Sequence, residues 1–262
     1  MIICSWNVNS VNSRIDHIIS FLKKNKPDIL FLQELKCTKE NFPLKNFLDI
    51  NYESYVNGQK AWNGVAIISK KKLTITNNKI PTYKDDINSR FIETNLKIKN
   101  IKKDIKLINI YLPNGNPIDS DKFVYKIKWM KRFNTYIEKL LSSNIPLIIG
   151  GDFNVIPTDE DVYNPQYFKD DACAHPETRK LYRMLINLGL TDTVKEFIPG
   201  KTNWTYWGYR GGGWQKGNGL RIDHFLTSDE ITDNIKKIYI DRIPRGLNKP
   251  SDHTPVVLEI KN

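Results

Sequence analysis

Two short apolar runs, each ended by a carboxylate, constrain the fold of this chain more than any other feature. The first run covers 28–34 and ends at Glu34, and the second covers 146–151, with Asp152 just past its end. Continuous apolar runs of this kind predict strands that are buried on both faces, as in layered α/β folds. Because ligands in such folds bind beyond the strand ends, we expect both acids to reach one cleft.

Other segments extend this α/β pattern. Further strands are predicted at 2–6, 65–69, 91–98, 105–112, 221–226 and 255–260. Apolar residues at helical spacing predict helices from Val11 to near Pro27, from Val124 through Leu141, and from Pro176 to a stop at Gly189. The Gly- and aromatic-rich segment 201–219 is interpreted as a loop. Since no linker of Gly, Ser or Pro divides the chain, we expect residues 1–262 to form one domain.

The charge balance favours a polyanionic partner. Lys and Arg number 40 against 29 Asp and Glu, a formal net charge of +11, and clustered cations gain affinity by releasing counterions from phosphate backbones. The alternative is that a Lys-, Asn- and Ile-rich chain reflects biased codon usage and a solvated face.

Location is predicted from apolar runs and cysteines. The apolar runs are far shorter than the roughly 20 residues that cross a bilayer, and polar residues interrupt the start of the chain almost at once. The 3 cysteines are widely spaced without a CxxC, which disfavours a disulfide framework and structural zinc. We therefore expect an intracellular, cytoplasmic protein with no membrane association.

Two more acids accompany Glu34 and Asp152. Asp223 follows a strand-like start, and Asp252 stands directly before His253. Hard oxygen donors at several strand ends suit Mg²⁺ or Mn²⁺ with positions left open for water and phosphate. Any one of these acids alone is more often a turn or cap residue, so the prediction rests on their coincidence. The remaining histidines, at positions 17, 175 and 224, are interpreted as packing residues.

Seven segments together resemble a known family. They are Trp6-Asn7-Val8-Asn9, Leu32-Gln33-Glu34-Leu35-Lys36, Asn63-Gly64-Val65-Ala66-Ile67, Tyr111-Leu112-Pro113-Asn114-Gly115, Gly151-Asp152-Phe153-Asn154, Asn218-Gly219-Leu220-Arg221-Ile222-Asp223 and Lys249-Pro250-Ser251-Asp252-His253. In this order, from residue 6 to residue 253, the chain resembles the exonuclease III family of the endonuclease/exonuclease/phosphatase superfamily, which includes abasic-site endonucleases.

The resemblance implies a fold and an activity. The fold is a four-layered α/β sandwich, in which two mixed β-sheets pack face to face with helices outside. The activity is Mg²⁺-dependent hydrolysis of DNA phosphodiesters, with Mn²⁺ as a substitute. Such an enzyme cuts 5′ to abasic sites and removes nucleotides or blocking groups from the 3′ ends of duplex DNA. We expect a monomer.

The resemblance also implies metal and catalytic roles. Glu34 is the main metal ligand, and the further candidates are Asn7, Asp152, Asn154 and Asp252. The metal would polarise the scissile phosphate.

The resemblance implies that four side chains promote the attack of water on the phosphate. His253 orients or deprotonates the attacking water, and Asp223 fixes its imidazole. Asp152 and Asn154 lie around the nucleophile. The sequence leaves open whether Asp152 or His253 is the base.

Phosphate and DNA contacts form a third implied group. Tyr111 and Asn114 donate to phosphate oxygens. Aromatic rings interleaved with cations suit a nucleotide lifted from a duplex. The candidate DNA contacts are Asn9, Arg90, Arg179, Tyr206, Trp207, Trp214 and Lys216. The chain has Gly208 where the family often has an acid, and Ser89 in place of the usual Gly.

Three other functions compete with a repair nuclease. The same superfamily contains phosphatases and phosphodiesterases of inositol phosphates or sphingomyelin, and secreted DNase I-like enzymes. Those relatives usually carry a second catalytic histidine in the segment that corresponds to 111–115, where this chain has none. A non-enzymatic nucleic-acid-binding module would gain nothing from carboxylates facing its ligand.

Overall fold

The computed structural model of the protein describes residues 1–98, 101, 103–200 and 202–261. The strands, in chain order, are β1 (Ile2–Asn7), β2 (Ile29–Gln33), β3 (Glu53–Asn57), β4 (Val65–Ser69), β5 (Thr74–Asn77), β6 (Phe91–Leu96), β7 (Ile105–Tyr111), β8 (Leu147–Asp152), β9 (Leu190–Asp192), β10 (Asp223–Ser228), β11 (Ile235–Ile240) and β12 (Val256–Ile260). The α-helices are α1 (Ile15–Asn25), α2 (Leu44–Leu48), α3 (Asp121–Ser142), α4 (Pro176–Asn187), α5 (Thr193–Phe197), α6 (Gly213–Lys216) and α7 (Asp229–Thr232).

The strands form two six-stranded mixed sheets. The first sheet has the order β11-β12-β1-β2-β4-β3, and the second has the order β5-β6-β7-β8-β10-β9. Each sheet has one central parallel pair, β1 with β2 and β7 with β8, and antiparallel partners around it. The two parallel pairs therefore lie in the middle of the molecule.

Three hydrophobic clusters separate the layers. Side chains from the inner faces of both sheets, including Phe31 and Phe225, form the central cluster. Helices α1 and α2 cover the first sheet through residues such as Phe21, and α3 and α4 cover the second through residues such as Trp129. Along β2 the side chains alternate between the central and outer clusters. The predicted four-layered sandwich and the burial of β2 on both faces are confirmed.

Two glycines in β8 allow the sheets to approach each other. A Cβ atom on Gly150 would lie 2.5 Å from the ring of Phe225 and 2.9 Å from that of Phe31. Gly151 has φ +148°, and a Cβ there would lie 2.0 Å from the carbonyl oxygen of Ile110. Any side chain at these positions would displace β8, whose last residue is Asp152.

The observed elements differ from the predicted ones at their ends and in the short edge strands. Four strands were not predicted, namely β3, β5, β9 and β11, of which the first three are short and partly exposed. Helix α1 is preceded by a 3₁₀ turn at Asn12–Arg14. The predicted loop at 201–219 contains a 3₁₀ turn at Arg210–Gly212 and α6, and its first residue lies outside the described residues. Gly189, with φ +106°, follows the end of α4 as predicted.

Within the described ranges, the helices lack the apolar length that crossing a bilayer requires. Cys4, Cys37 and Cys173 are free thiols, and each is buried.

Candidate active site

The ends of neighbouring strands bring the predicted site residues to one edge of the molecule. Asn7 ends β1, and Glu34 directly follows β2, its parallel neighbour. In the second sheet Tyr111 and Asp152 pair at the ends of β7 and β8. Asp152 also pairs with Asp223, the first residue of antiparallel β10. Strand direction and register thus place side chains from five separated segments around one point.

The Asn7 amide joins the two main carboxylates. Its Nδ2 donates to Oε1 of Glu34 and to Oδ2 of Asp152, each at 2.9 Å, and its Oδ1 accepts the backbone N–H of Asn9. The second oxygen of Glu34 lies 2.9 Å from Nζ of Lys36. Asn7 therefore orients the carboxylates through its N–H groups, and its oxygen is already occupied by a backbone donor.

His253 lies between two buried carboxylates. Its Nδ1 is 2.8 Å from Oδ2 of Asp223, and its Nε2 is 3.8 Å from Oδ2 of Asp152. Burial alone would lower the pKa of His253, but the charges of Asp223 and Asp152 outweigh it and raise the pKa to about 10. Burial, together with the negative charges of Asp223 and Glu34, raises the pKa of Asp152. The pair therefore favours a cationic imidazole beside Asp152 at neutral pH.

The donor set fits a hard divalent cation. Glu34 and Asp152 each offer a carboxylate oxygen, and these two oxygens and a ring nitrogen of His253 all lie within 4.8 Å of one another. Two carboxylates held this close by a neutral amide repel each other, and a cation between them removes that repulsion. Asp252 lines the same cavity, but it is not a member of this group, and its Oδ1 accepts from Asn9.

Asn154 is the second predicted amide ligand. Its Nδ2 donates to the carbonyl of Leu112, and its Oδ1 accepts from Nδ2 of Asn114 at 3.2 Å. Its backbone N–H donates to Oδ1 of Asp152. In this arrangement Asn154 holds Asp152 and Asn114 in position, and its side-chain oxygen is directed at Asn114.

Tyr111 presents its hydroxyl to the carboxylates. Burial raises the pKa of Tyr111 well above its usual value, and the charges of Glu34 and Asp152 add to the effect. The guanidinium of Arg90 lies 4.7 Å from the centre of the Tyr111 ring, and its Nη1 donates to the Tyr111 carbonyl. Tyr111 is therefore a neutral O–H donor supported from behind by a cation.

A lysine is fully buried beneath two of the site loops. Lys126 of α3 is 0% exposed, and its Nζ donates to the carbonyls of Asn114 at 3.0 Å and Asn154 at 2.6 Å. Burial lowers the pKa of Lys126, although nearby acids oppose the effect. One ammonium thus connects the segment after β7 to the segment after β8.

Several site residues have a left-handed backbone. The φ values are 47° at Asn9, 52° at Glu34, 55° at Lys36 and 48° at Asn154. Residues other than glycine lose about 1 kcal/mol or more in this region, and such strain concentrates at functional sites. The turn at Glu34 directs its carboxylate across the strand ends toward Asp152.

A cavity of about 830 Å³ opens above the carboxylates. Its lining includes Glu34, Asp152 and His253 at the base. The described walls around them carry both cationic and aromatic side chains, namely Lys36, Trp62, Tyr163, Tyr167, Phe168, Tyr206, Arg210 and Lys216. A phosphate-bearing ligand could reach the acids from this side.

The sequence over residues 4–253 matches the model of the Endonuclease/Exonuclease/phosphatase family. The chain belongs to this family.

Relatives within the Endonuclease/Exonuclease/phosphatase family match along the full chain. Exodeoxyribonuclease III of Haemophilus influenzae is 30% identical over 98% of each chain. The solved structure of the 3′ phosphatase NExo from Neisseria, bound to a product DNA hairpin, is 34% identical and covers 100% of both chains with a TM-score of 0.94. An AP endonuclease from Archaeoglobus fulgidus is also 34% identical over 100% of both chains, with a TM-score of 0.92. The recognition made from the sequence segments is confirmed.

Four of the predicted DNA contacts line the cavity. They are Asn9, Asn114, Tyr206 and Lys216. The Tyr206 ring lies 4.9 Å from the imidazole of His253, edge to face. Asn9 also connects the two sides of the site, because its amide bonds both Lys36 and Asp252.

The expectation that Trp207 contacts DNA needs correction. Trp207 is 2% exposed, and its ring packs at 4.8 Å against Trp214, which is half-buried and also lies outside the cavity lining. Arg242 lies over the Trp207 ring, and Arg245 donates to the Trp207 carbonyl and lies over the Trp214 ring. These two tryptophans therefore form the support of the loop, while Tyr206 forms its cavity face.

Two predicted phosphate-binding arginines have other partners. Arg179 donates through Nε to the Ile156 carbonyl and pairs with Asp159 at 2.8 Å. Arg90 lies against Tyr111, as described above. Neither arginine is part of the described cavity lining, so Arg90 has a supporting position behind Tyr111 and Arg179 forms an ion pair, and their binding of phosphate stays a prediction.

The two departures from the family pattern have local explanations. A Cβ on Gly208 would lie 3.3 Å from the hydroxyl of Tyr206, so the glycine leaves that hydroxyl room at the cavity wall. Ser89 accepts the backbone N–H of Gly64 through its carbonyl, and its side chain donates to the Gly58 carbonyl. Ser89 therefore fastens the turn that precedes β4.

Two of the other histidines, His224 and His175, have packing roles, as predicted. His224 is fully buried between Arg221 and the Val155 carbonyl, and His175 caps the N-terminus of α4. Sequence reasoning missed Lys36, Lys126, Trp62, Tyr167 and Arg210. Lys36 lies within a segment that carried the resemblance, whereas an amphipathic pattern gave no reason to single out Lys126 on α3.

Proposed function

We propose that this protein is a divalent-metal-dependent DNA repair nuclease of the exonuclease III and AP endonuclease type. It hydrolyses DNA phosphodiesters 5′ to abasic sites and removes nucleotides or blocking groups from the 3′ ends of duplex DNA. The observation that carries the proposal is the convergence of Glu34, Asp152 and His253 in the lining of one cavity, with Asp223 bonded to His253 behind it. The names of the full-length relatives support the substrate class.

Asp152 and His253 have different roles towards the attacking water and the phosphate. Asp223 holds Nδ1 of His253, which leaves Nε2 facing Asp152. Since the two carboxylates keep the imidazole protonated, we assign Asp152 as the acceptor of the water proton. The imidazolium Nε2–H donates to a phosphate oxygen. Asn154 keeps Asp152 in place through its backbone N–H.

Glu34 is the principal ligand of the divalent cation, with Asp152 and Asp252 as further carboxylates. Mg²⁺ suits these hard oxygen donors, and Mn²⁺ has the same preference. A bound cation supplies positive charge that polarises the scissile phosphate and stabilises the leaving oxygen. Lys36 pairs with the outer oxygen of Glu34 and keeps it oriented.

Two neutral donors face the phosphate from the second sheet. Tyr111 stays protonated because its pKa is raised, and Asn114 lies at the end of the same segment. Their N–H and O–H groups stabilise the negative charge that develops on the non-bridging oxygens. Asn9, Tyr206 and Lys216 then contact the flanking DNA along the cavity wall.

The decisive experiment compares three substrates side by side. A duplex with an abasic analogue, an intact duplex with a 3′ end and an inositol phosphate are each incubated with Mg²⁺. We expect nicking of the first and shortening of the second, both abolished by EDTA. Hydrolysis of the inositol phosphate alone would contradict the proposal.

Two variants test the assigned roles. Asp152→Asn and His253→Ala should each lower turnover by about a hundredfold or more, as the loss of a general acid or base does. DNA binding should persist in both variants. Normal cleavage by either variant would refute the assignment.

The organisation of the protein completes the proposal. We propose one catalytic domain over 1–262, supported by the family match over 4–253 and by the central cluster that both sheets share. We also propose a monomer in the cytoplasm, where a reducing environment suits three buried free thiols.

A further inference from the structure

The lining of the cavity combines two kinds of side chain. It includes the cations Lys36, Arg210 and Lys216. It also includes three aromatic rings from the segment between β8 and α4, Tyr163, Tyr167 and Phe168. We call these three residues the aromatic platform. They were not among the residues singled out from the sequence.

The aromatic platform has a fixed base and a free surface. Phe168 is half-buried against the cluster that contains Ile156 and Leu220. The rings of Tyr163 and Tyr167 meet Phe168 edge to face, with centroids 5.8 Å and 5.2 Å away. Tyr167 is nevertheless 74% exposed and Tyr163 is 37% exposed. A ring held in place but open to solvent offers a flat face to a ligand in the cavity.

The charge around the platform disfavours phosphate. The segment 159–171 contains Asp159, Glu160, Asp161, Asp170 and Asp171 against the single cation Lys169. The first three acids pair with cations of other segments. The last two follow Phe168 closely, and Asp171 bonds Asn116 at the cavity wall. The two acids that follow Phe168 therefore favour an uncharged planar group over a phosphate at the aromatic platform.

We propose that the aromatic platform binds the base of the 3′-terminal nucleotide that the enzyme removes. This inference rests on the proposed function. In that reaction the water oxygen bonds to phosphorus, and the bond from phosphorus to the 3′ oxygen of the preceding nucleotide breaks, so that this oxygen leaves with a proton. The three substrates differ in the group attached to the attacked phosphate. In an exonuclease substrate this group is a complete nucleoside, and at an abasic site it is a sugar without a base. In a 3′-phosphate no further group is attached. Stacking on Tyr167 distinguishes the first of these from the third.

The test uses Tyr167→Ala and Tyr167→Phe with duplexes that differ only at the cleaved group. For removal of a 3′-terminal nucleotide, we expect Tyr167→Ala to lower kcat/KM about tenfold, mainly through KM, because base stacking on one ring is lost. Removal of a 3′-phosphate should be unchanged, and cleavage at an abasic analogue should change less than nucleotide removal. Tyr167→Phe keeps the ring and should restore nucleotide removal.

Leu48→Ala removes an exposed apolar side chain of α2 and serves as the control, with all three activities unchanged. Equal losses on nucleotide and 3′-phosphate substrates, or no loss on the nucleotide, would overturn the inference. A wild-type protein inactive on every DNA substrate would instead refute the proposed function. Since Tyr167 is largely exposed, thermal melting should confirm that the variants stay folded.

Discussion

Nδ1 of His253 lies 2.8 Å from Oδ2 of Asp223, and the two residues are 3% and 0% exposed. The other oxygen of Asp223, Oδ1, is buried without a hydrogen-bond partner among the described residues. The acid therefore interacts with the site chiefly through the imidazole. This contact fixes the ring so that Nε2 points toward Asp152.

Asp223→Asn should reduce turnover about a hundredfold without weakening DNA binding. The amide has nearly the same shape, but it removes the negative charge that stabilises the imidazolium of His253. The variant is assayed for kcat on the abasic duplex and for binding by fluorescence anisotropy. Asp233→Asn, at an exposed position after α7, is the control. An Asp223→Asn enzyme with normal kcat would mean that His253 does not need this partner.

Lys126→Met should lower kcat while leaving KM for the abasic duplex nearly unchanged. Methionine fills similar space but offers no proton to the carbonyls of Asn114 and Asn154. The loops that contain Asn114 and Asn154 then lose their shared hydrogen-bond donor. A displacement of catalytic groups by about 1 Å can lower the rate about a hundredfold, so we expect a loss of kcat of that order. Lys139→Met, on the exposed face of α3, should behave as wild type. A variant that loses only thermal stability would show a purely structural role.

Arg221 should control the stability of the fold in acid. Burial alone would raise the pKa values of Asp161 and Asp192, but the Arg221 guanidinium, 2.6 Å and 2.8 Å away, outweighs it and lowers both. Carboxylates with lowered folded-state pKa values stabilise the protein above their unfolded values, near 4, and this stability is lost as the pH falls. Burial and the charge of Arg221 lower the pKa of His224 in the folded state. As the pH falls below about 6.5, the unfolded state therefore binds more protons at this histidine, and the free energy of unfolding decreases.

Urea unfolding across pH 3–8 measures this dependence. The midpoint should decline from about pH 6.5 and fall more steeply below about pH 4. Arg221→Met should cost about 3–5 kcal/mol at pH 7, because it leaves two buried carboxylates without their partner. It should also flatten the acid decline. An unaltered pH profile in this variant would contradict the assignment of the lowered pKa values to Arg221.

Metal binding should raise the thermal unfolding temperature through Glu34. A ligand that binds only the folded state adds about 2.7 kcal/mol at a concentration of 100 Kd. We expect Mg²⁺ to stabilise the wild type and EDTA to reverse the effect. Glu34→Gln should shift the Mg²⁺ titration to higher concentrations in melting and in activity, whereas Glu138→Gln on α3 should not. Identical titrations for Glu34→Gln and wild type would place the metal elsewhere.

Lys216→Ala should weaken DNA binding uniformly across sequences. Each phosphate contact adds about 0.9 to the slope of log K against log salt, so the slope of this variant should be shallower by about that amount. Lys139→Ala should leave the slope unchanged. Binding that does not respond to salt, in the wild type, would favour a small substrate over DNA.

The strand ends were predictable because their chemistry is local. The apolar runs before Glu34 and Asp152 require buried strands, and parallel strands end at one edge. The pairing of Asp152 with Asp223 was not available from local pattern, since it depends on the register of β10. Lengths of edge strands such as β5 depend on their neighbours more than on their own residues.

The aromatic segment that contains Tyr206 and Trp207 shows that a DNA-binding segment is easier to recognise in a sequence than the exposure of each of its side chains. Tyr206 and Trp207 are consecutive in a stretch of rings and cations, and both suit DNA. Tyr206 forms β-bridges with Leu220 and His253, and these orient its side chain toward the cavity. The next side chain, Trp207, therefore points into the protein, where Arg242 lies over its ring. That outcome depends on contacts with distant residues, which no spacing rule supplies.

The left-handed backbone at Asn9, Glu34 and Asn154 sets thermal stability against activity at these positions. Glycine at any of these positions would relieve the main-chain cost while deleting an amide or a carboxylate from the cavity. A library screened for thermostability alone should thus enrich inactive variants that carry glycine at these three positions.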